Sequence, residues 1–154
     1  MEEEIEKAKE ATFKLISYRM RSCKELEDRL KKKGFSQAVI DEVIQELSRM
    51  NYLNDIEFAR AFVESRLLHN PKGKSFLKYE LLQKGVDKQT AEEVVGEMMP
   101  PEEEEKFARL LAEKIWKKKK NLEEVKRKAQ TYNYLARRGF PASLIKRIVE
   151  ELSE

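Results

Sequence analysis

The side chains best suited to chemistry are few. His69, Asn70, Pro71, Lys72, Gly73, Lys74 and Ser75 contain Gly-Lys-Ser, the closing triplet of a loop that wraps nucleotide phosphates. Such a loop needs a glycine five residues before Gly73, where this chain has Leu68, and a strand ahead of it, where the spacing predicts a helix. The stretch is therefore not read as a nucleotide site. Cys23 is the sole cysteine and His69 the sole histidine. A nucleophile needs an orienting base within reach, but Cys23 falls at the start of one helix and His69 at the end of another. One Cys and one His cannot build an internal disulfide or an ordinary zinc site. The carboxylates fall mostly at outward helical positions, where ion pairing explains them. The chain is accordingly read as a non-enzyme, with no catalytic residue, cofactor or metal.

Cations are the remaining candidates. Lys and Arg number 32 against 29 Asp and Glu, a net charge of only +3, but the surplus lies in the last third. Lys114, Lys117, Lys118, Lys119, Lys120, Lys126, Arg127, Lys128, Arg137 and Arg138 stand there against Glu123 and Glu124. A local excess of this kind attracts phosphates or an acidic protein surface. It also suits a solvated helical face, and basic residues offset the negative end of a helix dipole.

The elements that carry these residues follow from an internal repeat. Gly34, Gly85 and Gly139 each follow a basic residue, and Leu30, Leu81 and Leu135 stand four residues before them. After the glycines the apolar positions also agree: Ile40, Ala91 and Ile145; Val43, Val94 and Ile148; Ile44, Val95 and Val149; Leu47, Met98 and Leu152. That spacing marks one face of an α-helix. Each unit thus holds a helix, a glycine turn and an amphipathic helix, and glycine suits the turn because closing a helix commonly needs positive φ. Helix starts are signalled by Ser22-Cys23-Lys24-Glu25 as a capping box, by Asn54 and Asn121 three residues before a Glu, by Ser36 and Asp87, and by Pro141. A further helix precedes each unit, at roughly 4–20, 55–69 and 102–119, with apolar stripes Ile5, Ala8, Ala11, Leu15, Ile16; Phe58, Ala59, Phe62, Val63; and Phe107, Leu110, Leu111, Ile115.

The expected fold is all-α: three tandem three-helix repeats, at 1–53, 54–100 and 101–154, forming an elongated, modular array. Apolar and charged residues each make up 40% of the 154, so small cores must serve helices with heavily charged faces. Pro100-Pro101 breaks the chain before the third repeat, and Asn51 to Asn54 breaks it less sharply before the second. An array of this kind should exceed the radius of gyration of about 15 Å that a compact chain of this length would have. No stretch reaches about 20 apolar residues. The Met-Glu-Glu-Glu start is not a basic-then-apolar leader, so a cytoplasmic protein, not a membrane protein, is expected.

Taken in order, Arg19-Met20-Arg21-Ser22, Glu25-Leu26, Leu30, Lys33-Gly34-Phe35, Tyr52-Leu53-Asn54-Asp55, Phe58-Ala59, Arg66, Gly73, Leu77, Glu80-Leu81 and Lys84-Gly85-Val86 resemble the RecX family. The third repeat departs most, with Thr131 where the others have Leu26 and Leu77. The resemblance implies a three-repeat helical protein that binds the RecA recombinase filament on single-stranded DNA, limits its growth or favours its disassembly, and lowers ATP hydrolysis and strand exchange; a monomer is expected. Partner or DNA contact is then expected at Arg19, Arg21, Lys117, Lys118, Lys119, Lys120, Lys126, Arg127, Lys128, Arg137 and Arg138, with single-stranded or duplex DNA phosphates as a second ligand. The rival is direct nucleic-acid binding, because helix, glycine turn and helix also describes a helix-turn-helix. The second helices begin Ser36-Gln37-Ala38-Val39, Asp87-Lys88-Gln89-Thr90 and Pro141-Ala142-Ser143-Leu144. They lack the Arg, Asn and Gln cluster of a base-reading helix.

Overall fold

A computed structural model describes residues 1–154. The chain is all helix and turn: α1 (Glu2–Tyr18), α2 (Cys23–Lys32), α3 (Gln37–Arg49), α4 (Asp55–His69), α5 (Lys74–Gln83), α6 (Lys88–Met98), α7 (Pro101–Lys118), α8 (Glu124–Arg137) and α9 (Ala142–Leu152). No helix is long and apolar enough to cross a membrane. Two compact units form, one from residues 1–62 with 81–94, the other from 63–80 with 95–154.

In the first unit α1, α2 and α3 pack on one another. Ala8, Leu26, Val39, Val43, Leu47 and Leu53 form the core, with Ile5, Leu15, Ile16, Cys23, Phe35 and Ile44 packed against it. Helix α1 meets this core through small side chains one turn apart, Ala8 and Thr12, both fully buried. The Thr12 hydroxyl donates to the Ala8 carbonyl at 2.8 Å, so burying it leaves no polar atom unpaired. Ser22 starts α2 with the expected capping box shared with Glu25. The Ser22 hydroxyl also donates to the Lys84 carbonyl.

In the second unit α7, α8 and α9 pack mutually around Ala108, Ala112, Leu135, Phe140, Ile145, Ile148 and Val149. Thr131 is as buried as Leu26 and Leu77 at the matching positions, and its hydroxyl donates to the Arg127 carbonyl at 2.9 Å. The buried Glu104 of α7 accepts the Lys74 backbone N–H at 2.8 Å. A carboxylate thus caps the otherwise orphaned first turn of α5. Arg66 grips Glu80 with two nitrogens, the shortest contact 2.7 Å, and Lys72 reaches the same carboxylate at 3.4 Å.

All three repeat glycines have positive φ: +95° at Gly34, +89° at Gly85 and +88° at Gly139. The residue after each returns its N–H to the leucine four before the glycine, Phe35 to Leu30, Val86 to Leu81 and Phe140 to Leu135. This is the Schellman closure. Asn51, at φ +63°, closes α3 in the same way, with the Tyr52 N–H on the Leu47 carbonyl.

Three sequence expectations need correction. At the end of α6 Met99 is fully buried and Met98 only partly so, because the residue just past Met98, the helix's last position, fills the core instead. On α7 Leu110 is exposed; close packing uses Ala108 and Ala112, which places Leu110 on the outer side. Asn121 does not start α8. The chain makes an extra turn there, and Glu123 is the N-cap residue.

Candidate partner-binding surface

The end of α7 is built to hold cations in place. Its last carbonyls run short of backbone donors: the Trp116 carbonyl accepts the Lys119 N–H at 3.3 Å, and Arg127 adds to it, with Nε and Nη2 donating to the same oxygen at 2.9 and 2.7 Å. The same guanidinium lies over the Trp116 ring, 3.9 Å from its centroid. Two hydrogen bonds and a cation–π contact fix the angle at which α8 leaves α7. Arg127 is thereby engaged inside the unit.

Arg138 is also engaged, donating to Asn70 Oδ1 at 2.6 Å and the Pro71 carbonyl at 3.0 Å and lying 4.8 Å from the Tyr134 ring. Lys128 sits 3.9 Å from Glu124 and 3.7 Å from Glu150. The other ion pairs of α7 and α9 join Arg109 and Arg147 to Glu105 and Glu151. Lys117, Lys118, Lys120 and Lys126 are exposed. Arg137 makes only a 3.3 Å bond to the Asn133 carbonyl.

Lys118, Lys119 and Arg137 converge on a cleft of about 360 Å³ whose other walls are Ile115, Gln130, Asn133 and Tyr134. Gln130, Asn133 and Tyr134 were not identified from the sequence. The signal was present, because 130, 133, 134 and 137 form one helical stripe, but a stripe of polar residues looks like any solvated face. The cleft offers three cationic groups, two amides and a phenol, donors suited to phosphate or carboxylate oxygens.

Arg19 and Arg21 belong to the first unit. Arg19 pairs with Glu25 and donates to the Met20 carbonyl at 2.9 Å. Arg21 Nε donates to the Leu15 carbonyl at 3.0 Å, closing the end of α1.

The Cys23 thiol is not activated for attack. Burial, with Asp55 adding to it, pushes the Cys23 thiol up to about 11. It therefore stays protonated at neutral pH. No three His, Cys, Asp or Glu side chains gather as a metal would require.

Family models for RecX match three stretches: the first three-helix domain at residues 8–47, the second at 54–95 and the third at 102–149. The regulatory protein RecX of Bacillus subtilis is 40% identical over 152 residues, 97% of this chain and 56% of that protein. The chain thus spans just over half of that relative. The regulatory protein RecX of Amycolatopsis mediterranei is 35% identical over 150 residues, covering 97% of this chain and 85% of its own length. A crystal structure of RecX from Lactobacillus salivarius superposes with a TM-score of 0.89 at 25% identity, covering 99% of both chains. With every repeat matched in order, the chain belongs to the RecX family of regulatory proteins.

Proposed function

We propose that the chain binds the RecA recombinase filament assembled on single-stranded DNA and restrains its growth, ATP hydrolysis and strand exchange, without catalysis of its own. Membership of the RecX family supports that partner. The observation on this chain that carries the reading is the cleft between α7 and α8, where Lys118, Lys119 and Arg137 converge while Glu105, Glu124, Glu150 and Glu151 pair with Arg109, Lys128 and Arg147 instead. Cations left without counter-charges are the feature an acidic partner or a phosphate backbone would exploit. Lys117, Lys120 and Lys126 extend the same positive surface, and Arg19 and Arg21 add a second one on the first unit. A cytoplasmic, monomeric protein is consistent with this role.

The test is DNA-stimulated ATP hydrolysis by the cognate RecA with and without this protein. A dose-dependent fall is expected; hydrolysis unchanged at saturating protein would overturn the reading. A second reading, binding to bare DNA, is favoured by Tyr134 beside the cations, since single strands bind where bases stack next to positive charge. Binding to DNA alone with a steep salt slope would favour it, whereas RecA-dependent binding favours the first.

A further inference from the structure

The second repeat and the first differ at one pair of matching positions. In the second, Lys72 faces Glu80 at 3.4 Å, and the same carboxylate is held by Arg66. Counting back by the spacing of Gly34 and Gly85, Lys72 corresponds to Arg21 and Glu80 to Arg29. The first repeat therefore puts two arginines where the second puts a cation and its counter-ion. Glu25 is the nearby carboxylate, and it pairs with Arg19.

The consequence is an unfinished guanidinium. Arg21 spends Nε on the Leu15 carbonyl, but its Nη1 is buried with no hydrogen-bond partner. A buried donor in that state costs stability unless something supplies an acceptor. Burial, and then the charges of Arg19 and Arg29, lower the proton affinity of Arg21, and Glu25 offsets them only in part.

Arg21 also lines a cleft of about 150 Å³ with Ile16, Met20, Tyr52, Asn54 and Glu57. Met20 and Tyr52 are exposed, and Phe13, exposed as well, meets the Tyr52 ring edge-on at 5.2 Å. An apolar rim around an uncompensated cation is the makeup of a protein docking point. The volume is about half that of the smallest usual ligand pockets, enough for a single side chain. Glu57 in the wall disfavours a run of phosphates.

We propose that this cleft is a docking point for a protein segment bearing one Asp or Glu flanked by apolar residues, whose carboxylate completes Arg21 as Glu80 completes Lys72. This deepens the partner-binding reading and rests on it only in taking the first repeat to face a protein.

The test uses a display library of random seven-residue peptides selected on the full chain, with no RecA present, so its failure is distinguishable from failure of the RecA reading. Enriched peptides should share an acidic residue with apolar neighbours and should bind Arg21→Met at least about tenfold more weakly. Because Arg21→Met also loses the Leu15 contact, Arg29→Glu is the decisive variant. It supplies in the same chain the carboxylate found in the second repeat, so it should fold with an unchanged or higher thermal midpoint yet lose the peptides. Three results would overturn the proposal: no Arg21-dependent enrichment, an enriched motif without an acid, or equal binding by Arg29→Glu. Displacement of the peptides by an oligothymidylate whose own binding needs Arg21 would also overturn it, assigning the cleft to nucleic acid.

Discussion

Gly139 carries a tighter constraint than its φ alone imposes. A Cβ there would lie 2.6 Å from the Phe76 backbone nitrogen, and one on Gly85 would lie 2.3 Å from Lys24 Cβ, but one on Gly34 would meet nothing within 4 Å. All three share the left-handed turn, so Gly→Ala should cost about 1 kcal/mol at Gly34 and clearly more at Gly85 and Gly139. Urea unfolding of the three variants checks this order; equal losses would mean that only φ matters. Gly73 obeys the same logic, since its Cβ would sit 2.3 Å from the Gly139 carbonyl oxygen, and its N–H donates to the Arg138 carbonyl at 2.7 Å. The glycine that resembles a phosphate-loop residue is there for close backbone approach. Cys23 gives a pH prediction. Burial pushes its thiol from the ordinary 9.0 up to about 11, so the neutral form is favoured by folding. The stabilisation is present below pH 9 and lost as pH rises towards 11. Unfolding midpoints followed from pH 8 to 11 should fall more for the wild type than for Cys23→Ala; parallel curves would remove Cys23 as the cause.

At the scale of elements, much was legible because local signals agree with one another. The glycine turns, the capping box at Ser22 and the apolar faces of α3 and α9 each mark the same boundaries from different chemistry. What stayed hidden depends on neighbours. Leu110 looked like core until Ala108 and Ala112 made the contact, and Asn121 looked like a cap until the chain took another turn. Nothing local distinguishes Glu104 from the three other glutamates of its run, yet it alone among them is buried, with its carboxylate on the Lys74 N–H at 2.8 Å. Glu104→Ala should therefore destabilise by about 1 kcal/mol, the usual cost of losing a cap. Glu104→Gln, which keeps an acceptor oxygen, should cost less. Thermal midpoints of the two variants separate capping from general charge; equal losses would point to the charge.

For the whole molecule, the cations read as one basic cluster in the sequence divide by what they touch. Arg127, Lys128 and Arg138 have internal partners, so their part in holding the unit together was not visible from charge counting. Lys118, Lys119 and Arg137 line the α7–α8 cleft, Lys117 is exposed on the same last turn of α7, and no carboxylate is paired to any of the four. The two groups should respond differently to substitution. Arg127→Gln removes charge-assisted bonds to the Trp116 carbonyl and should cost about 1 to 3 kcal/mol, so any loss of function in it is confounded with stability. The combined Gln variant of Lys117, Lys118, Lys119 and Arg137 removes largely solvated charges, worth under about 1 kcal/mol each, and should fold with a nearly unchanged midpoint. If these residues face the RecA filament or its DNA, that folded variant should inhibit ATP hydrolysis poorly. Wild-type potency should also decline as salt screens the attraction, with a slope that the variant lacks. Inhibition measured for both proteins over a salt series decides the matter: equal potency at every salt concentration would make the cleft a solvated face and place the working contacts elsewhere on the chain.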